Sequence, residues 1–227
     1  MNLIYQMLTL QQELNDSTNG KNWEEGITKN AKEIDWRRCI FMESAELIDS
    51  YPWKHWKSID AKADIDNAKI EVVDIWHFVM SLALEDYKIN LKGDIGFLAN
   101  KIEKLANYNL LLENSNINPN HKDTISHIEN MIRAVFTHKT VEEIMDKLIT
   151  ISIDVGLNLD SIYKLYIGKN ILNVFRQDNG YKDGSYIKIW NGKEDNEVMS
   201  EILNSNDVKP KELYDMLQVE YNRVLNG

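Results

Sequence analysis

Four carboxylates fall where a helical chain should bury apolar side chains. Glu43 and Glu46 lie in the run Met42-Glu-Ser-Ala-Glu-Leu47, and Glu71 and Asp74 in Ile70-Glu-Val-Val-Asp-Ile75. Each pair is spaced i, i+3, so both members leave a helix on nearly the same side. Glu43 falls among Cys39, Ile40 and Leu47, and Asp74 between Ile70 and Phe78, at the three- and four-residue steps of an inward-facing stripe. A buried carboxylate must be neutralised by a proton, a basic partner or a metal. The nearest cations on these stripes, Arg37 and Arg38, stand a turn or more upstream. Four oxygen ligands on two antiparallel helices suit Mg²⁺, a hard ion that keeps several waters and completes its shell with substrate phosphates. Two other readings use the same residues: carboxylates on solvated helix faces, and a di-iron or di-manganese centre. The second normally needs two Glu-x-x-His motifs, whereas here only Asp74 precedes a histidine, His77, at that step.

A second stretch has the opposite charge. From Ser161 to Lys193 there are six Lys or Arg against two Asp, a local +4 in a chain whose net charge is -10. Lys169, Arg176, Lys182 and Lys188 are interspersed with Asn173, Asn179, Gly180 and Gly184, a composition expected to fold as a flexible cationic flap over terminal phosphates. The alternative is a solvated basic helix end, where a cation is favoured anyway. The acidic chain as a whole repels nucleic-acid polymers and anionic membranes, so a polyanion must meet a local basic patch or a metal. The single cysteine, Cys39, permits no intrachain disulfide, which fits a reducing compartment. There is no basic segment followed by an apolar core at the N-terminus. Nor does any apolar run approach the roughly 18 residues of a membrane span. The expectation is a cytoplasmic protein.

Only 3 Pro and 10 Gly interrupt the 227 residues, and apolar residues recur at three- and four-residue steps, so the chain should be all-α. The spacing predicts a first helix over about 2–16 and a long loop over 17–33. Asp35 then caps a helix to about Ser50, which Pro52 ends, and Trp53 to Lys57 form an aromatic, basic turn. Asp66 caps a third helix to about Tyr87. Further helices are expected from Gly93 to Asn114, Asp123 to Thr137, Thr140 to Val155, and from Asp160 or Ser161 to Gly180. A polar, aromatic loop over 181–195, a short helix near 197–204 and a last helix opened by Pro210 complete the chain. The stretch from Asn114 to His121 reads as a loop or insertion.

Three segments resemble the motifs of the dimeric dUTPases. They are Trp36-Arg-Arg-Cys39 through Met42 to Asp49 with Trp53-Lys-His-Trp-Lys57; Glu71 to Phe78; and Ile167-Gly-Lys-Asn170 through Phe175 to Gly184 and on to Trp190 to Asp195. That family belongs to the all-α NTP pyrophosphatase superfamily, with the MazG-like proteins and dCTPases, and is unrelated to the trimeric β-sheet dUTPases. The carboxylate pairs point to the superfamily, and the third segment to the dimeric dUTPases. Residues from Gly93 to Lys139 match no motif.

The resemblance implies one domain over 1–227, a bundle of about seven to nine helices, and a homodimer. It implies that Glu43, Glu46, Glu71 and Asp74 hold two or three Mg²⁺ against the phosphate chain. A metal-activated water would attack, with Glu43, or failing that Glu46, taking its proton. Uracil recognition falls to Gln11 and Asn15, whose amides offer both donor and acceptor, with Gln12 an alternative to Gln11. His77 would meet the 3′-hydroxyl, Phe78 would leave no room for a 2′-hydroxyl, and Trp53 and Trp56 would stack near the base or wall the pocket. Lys169, Asn173, Arg176, Asn179, Lys182 and Lys188 would hold phosphates. The implied reaction converts dUTP, and dUDP, to dUMP. Rival readings are a dCTPase or less selective dNTP pyrophosphatase, a metal-stabilised helical interaction protein without turnover, and a ferritin-like redox protein.

Overall fold

The computed structural model describes residues 2–58, 60–113, 116–205 and 209–225. Among them are ten α-helices: α1 (Leu3–Asn19), α2 (Trp36–Asp49), α3 (Ile65–Ile89), α4 (Ile95–Ile102), α5 (Tyr108–Leu111), α6 (His121–Phe136), α7 (Val141–Asp154), α8 (Leu159–Asp178), α9 (Asp195–Ser205) and α10 (Pro210–Leu225). The fold is all-α apart from one hairpin, β1 (Ile189–Trp190) and β2 (Lys193–Glu194), within the expected 181–195 loop. The chain divides into two compact units, Met1–Ile162 and Tyr163–Gly227.

In the first unit α3 is the middle helix. Fifteen of its 25 residues are buried, more than one apolar stripe can account for, so it must be covered on several sides. The Trp76 indole donates to Ser152 Oγ at 2.9 Å, tying α3 to α7. Arg37 turns from α2 to the end of α6 and donates to the Val135 carbonyl at 2.9 Å. Arg38 pairs with Asp35 at 3.1 Å in the exposed first turn of α2.

Helix caps follow the rule that a short polar side chain accepts from the backbone N–H three residues on. Asp35 accepts from Arg38 N, and Thr140 from Glu143 N, as expected. Other boundaries differ. The cap of α3 is Asp64, accepting from Asn67 N, rather than Asp66. Asn158, not Asp160 or Ser161, opens α8: its Oδ1 accepts from Ser161 N while Ser161 Oγ accepts from Asn158 N, each at 2.9 Å. The helix expected from Gly93 to Asn114 is two helices, α4 and α5. Between them Asn107 donates through its backbone N and its Nδ2 to the Asp146 carboxylate on α7, each at 3.0 Å. The start of α6 moves to His121, and the end of the expected helix, Asn114, lies outside the described residues.

The second unit is built on an aromatic layer. Phe175 of α8 is edge-on to Trp190, Tyr214 and Tyr221, with ring centroids 5.3–5.9 Å apart. Leu172, Met199, Leu203, Leu213 and Leu217 complete the core. A two-residue turn, Asn191-Gly192, joins the strands with φ of 51° and 88°, the conformation that fits the right-handed twist of a hairpin. Gly168 of α8 lies against α9, where an added Cβ would stand 2.5 Å from Leu203 Cδ1. A larger residue there would force the Leu203 side chain to shift.

One carboxyl of the first unit should make stability depend on pH. Burial pushes Glu85 from its ordinary 4.5 up to about 7, against the opposing pull of Arg37 and with help from Asp86, Asp35 and Glu24. Between those values the folded chain keeps a proton that the unfolded chain has lost, so stability falls as pH rises through the window. Glu85→Gln should therefore raise stability at pH 8 by about 1–2 kcal/mol, after discounting for solvent screening. The gain should vanish below pH 4.5. Urea melts at the two pH values measure both.

Candidate active site

Packing of α2 against α3 collects the first acidic group. Glu43, Glu46 and Glu71 each place an oxygen so that all three lie within 4.8 Å of one another. Glu71 is 8 % exposed, Glu43 half-buried and Glu46 exposed, so the group runs from the helix interface out to solvent. Asp74, half-buried one turn along α3, is outside this group of three. Neither nearby arginine turns to it, since Arg37 serves the end of α6 and Arg38 pairs with Asp35. Three carboxylates so close repel strongly, and an oxygen-lined concentration of negative charge is what a hard divalent cation requires. The residues present fit Mg²⁺.

The same face of α3 continues into a buried polar network with α1. His77 Nδ1 lies 2.7 Å from Gln11 Oε1. The Gln11 amide donates to Ser81 Oγ at 2.9 Å and to Asn15 Oδ1 at 3.1 Å, and Asn15 Nδ2 donates to Ser81 Oγ at 3.0 Å. Gln12 goes elsewhere, donating to Asp16 and Glu24, each at 3.0 Å. Of the two candidates, Gln11 is thus the one joined to Asn15 and His77. Phe78, half-buried, packs on Trp36 at 6.1 Å, and Trp36 meets Trp23 edge-on at 5.6 Å.

Trp53 and Trp56 are 46 % and 62 % exposed and meet edge-to-face at 5.7 Å. Asp49, at the end of α2, anchors their turn: it accepts from the Trp53 indole at 3.1 Å and from Lys54 Nζ at 2.6 Å. Behind the turn lies a cavity of about 210 Å³ lined in part by Lys54, Lys57 and Lys62.

In the second unit three of the four expected phosphate-binding cations, Lys169, Arg176 and Lys188, already have partners. Arg176 is bound by Asp195 through two bonds, Nε to Oδ2 at 2.8 Å and Nη2 to Oδ1 at 2.7 Å. Asp195 has no exposed surface. Burial alone would raise its carboxyl, but the bonds and charge of Arg176 outweigh that and hold it below the usual carboxylate range. Tyr186 donates to the same carboxylate at 2.7 Å. Lys169 Nζ donates to Asn196 Oδ1 at 2.8 Å, and Lys188 pairs with Glu194 at 2.9 Å. Asn173 Oδ1 accepts a long 3.4 Å bond from Arg176 Nη1, and Asn179 donates to the Phe175 carbonyl at 2.9 Å. Lys182 is exposed. Arg176 and Lys188 of the expected cationic flap are thus already charge-compensated.

A family model described as dUTPase matches residues 3–181. The chain belongs to the dUTPase family. That match covers both carboxylate pairs, the α1 amides, the Trp53–Trp56 turn and α8, and it makes hydrolysis of dUTP the activity of this enzyme. Among curated proteins no match is found. Ser81, Tyr186 and Asn196 of this dUTPase carry no expectation in the sequence, and Asp195 enters it only as the end of the third segment. Ser81 carries a readable signal, since it follows His77 by four residues just as Asn15 follows Gln11.

Proposed function

We propose that the enzyme splits dUTP, and dUDP, between the α and β phosphates with the aid of Mg²⁺, releasing dUMP. The observation that carries this reading is the convergence of Glu43, Glu46 and Glu71 within 4.8 Å at the α2–α3 interface. Those three residues, with Asp74 one turn along, hold two or three ions. Bound there, Mg²⁺ supplies charge neutralisation for the phosphate chain and makes coordinated water more acidic. Glu43, half-buried between exposed Glu46 and buried Glu71, receives the proton of the attacking water on a carboxylate oxygen, with Glu46 as the alternative. Gln11 and Asn15 recognise the uracil edge, His77 the 3′-hydroxyl, and Trp53 and Trp56 wall the base. Lys169, Asn173, Arg176, Asn179, Lys182 and Lys188 act on the phosphates. The resemblance to dimeric enzymes supports a homodimer, and the single cysteine, Cys39, fits a reducing compartment such as the cytoplasm. Among the described residues no helix is long and apolar enough to cross a membrane.

A pyrophosphate and orthophosphate assay over dUTP, dUDP, dCTP, dTTP and UTP, with Mg²⁺ and with a chelator, tests the reading. Pyrophosphate from dUTP and orthophosphate from dUDP are expected, both only with Mg²⁺. Orthophosphate as the first product from dUTP, or undiminished rates in chelator, would overturn it.

The same assay addresses the sugar. With Phe78 braced by Trp36, a 2′-hydroxyl has no space, and UTP should be a poor substrate. Phe78→Ala should narrow the dUTP preference, at a stability cost of about 3 kcal/mol for the cavity. Equal wild-type rates on UTP and dUTP would end the steric account.

A further inference from the structure

Ser81 stands at the centre of the α1–α3 network with none of its surface exposed. Its Oγ is 2.9 Å from the His77 carbonyl, 2.9 Å from the Gln11 amide and 3.0 Å from the Asn15 amide. A hydroxyl has one hydrogen to donate and two lone pairs to accept with. The carbonyl can only accept, so it takes the hydrogen, and both amides must then turn their NH₂ groups to Ser81.

The alternatives fail on counting. If both amides were reversed, three acceptor oxygens would surround one hydroxyl hydrogen. If only one were reversed, the 3.1 Å contact between Gln11 and Asn15 would set oxygen against oxygen or NH₂ against NH₂. Each such clash in a buried site leaves polar groups unsatisfied. The network therefore has a single consistent orientation, and it fixes His77 as well. Gln11 Oε1 accepts, so the Nδ1 facing it at 2.7 Å carries the proton.

Valence then divides the labour between the amides. Both Gln11 N–H groups are engaged, by Ser81 and Asn15. Asn15 uses one N–H on Ser81 and one Oδ1 lone pair on Gln11; those partners stand 2.9 Å apart and take the end of the amide where N–H and lone pair run parallel, so the remaining N–H and lone pair point to opposite sides. At 4 % exposure Asn15 can show a ligand only one of the two. Uracil presents an acceptor O4 beside a donor N3–H, whereas cytosine presents a donor N4 beside an acceptor N3. An amide free to turn over would accept either base.

Resting on the dUTPase reading above, we propose that Ser81 is the positioning residue for base specificity: its hydroxyl locks the Asn15 amide in the orientation that reads uracil and rejects cytosine. Ser81→Ala removes the lock without touching the phosphate site. The ratio of kcat/KM for dUTP to that for dCTP should fall about 10- to 100-fold. Because both substrates are measured on one preparation, a loss of folded enzyme cancels in the ratio. Ser81→Cys keeps the volume with a weaker acceptor and should move the ratio the same way, and Ser81→Thr, which keeps the hydroxyl, should retain the selectivity. A ratio unchanged in both Ala and Cys variants of a selective wild type overturns the role of Ser81 and leaves the dUTPase reading standing. A wild type that does not distinguish dUTP from dCTP overturns the base reading itself, and the proposal with it.

Discussion

Glu71→Gln should lower turnover at saturating Mg²⁺ by about 10²-fold or more, the loss expected when an anionic ligand of a catalytic metal is neutralised. Glu71 is the member of the acidic group that lies deepest, on the covered face of the middle helix. It has the least freedom to be replaced by water. Mg²⁺ should raise the wild-type melting midpoint and move that of Glu71→Gln much less, because the variant has lost an anionic ligand. Loss of a mere structural hydrogen bond at Glu71 would leave the Mg²⁺ shift intact. Near-wild-type turnover with an undiminished Mg²⁺ shift would remove Glu71 from the site.

Arg176→Ala should destabilise the fold by about 3–5 kcal/mol, the usual result of removing one member of a buried ion pair. The reason is Asp195, fully buried and held in its charged state chiefly by two bonds from Arg176. Tyr186 supplies one further hydrogen bond, too little to replace a cation. Removing both charges, as Arg176→Met with Asp195→Leu, should cost markedly less than either single change. Lys182→Ala, at an exposed position, should leave stability within about 0.5 kcal/mol of wild type. Denaturant melts of wild type and these variants, both single changes of the pair included, decide the matter. A small effect for Arg176→Ala would mean that the pair opens readily, returning its guanidinium to the phosphates.

The contrast shows where a sequence is legible. The carboxylate pairs were readable because the i, i+3 step is a local rule, and α2 and α3 present their residues accordingly. The caps Asp35 and Thr140 were readable for the same reason. Asp64 and Asn158 were not, since Asp66 stands beside the first and Asp160 and Ser161 beside the second. Which side chain reaches a backbone N–H depends on how the preceding loop enters. The break between α4 and α5 is made by Asp146, 39 residues beyond Asn107, and local periodicity carries no trace of it. The local +4 of the third segment is counted only as far as Lys193. Glu194 and Asp195, the next two residues, neutralise Lys188 and Arg176. Ser81 stands in the sequence as a small residue on an apolar helix, and its place at the centre of the network comes from the number of its hydrogen-bond valences.

The Asn191-Gly192 turn also sets an order of events in time. A hairpin closed by so few residues forms in about 1–10 μs, well before contacts that require long loops to close. Trp190 and Asp195 flank that turn, so early closure fixes the spacing between an aromatic ring and a carboxylate before either meets α8. The ring then docks on Phe175 as Asp195 reaches Arg176, the next residue of α8. Asp195 thus loses its water while its counter-charge arrives, and the nascent chain need never hold that carboxylate dry and alone.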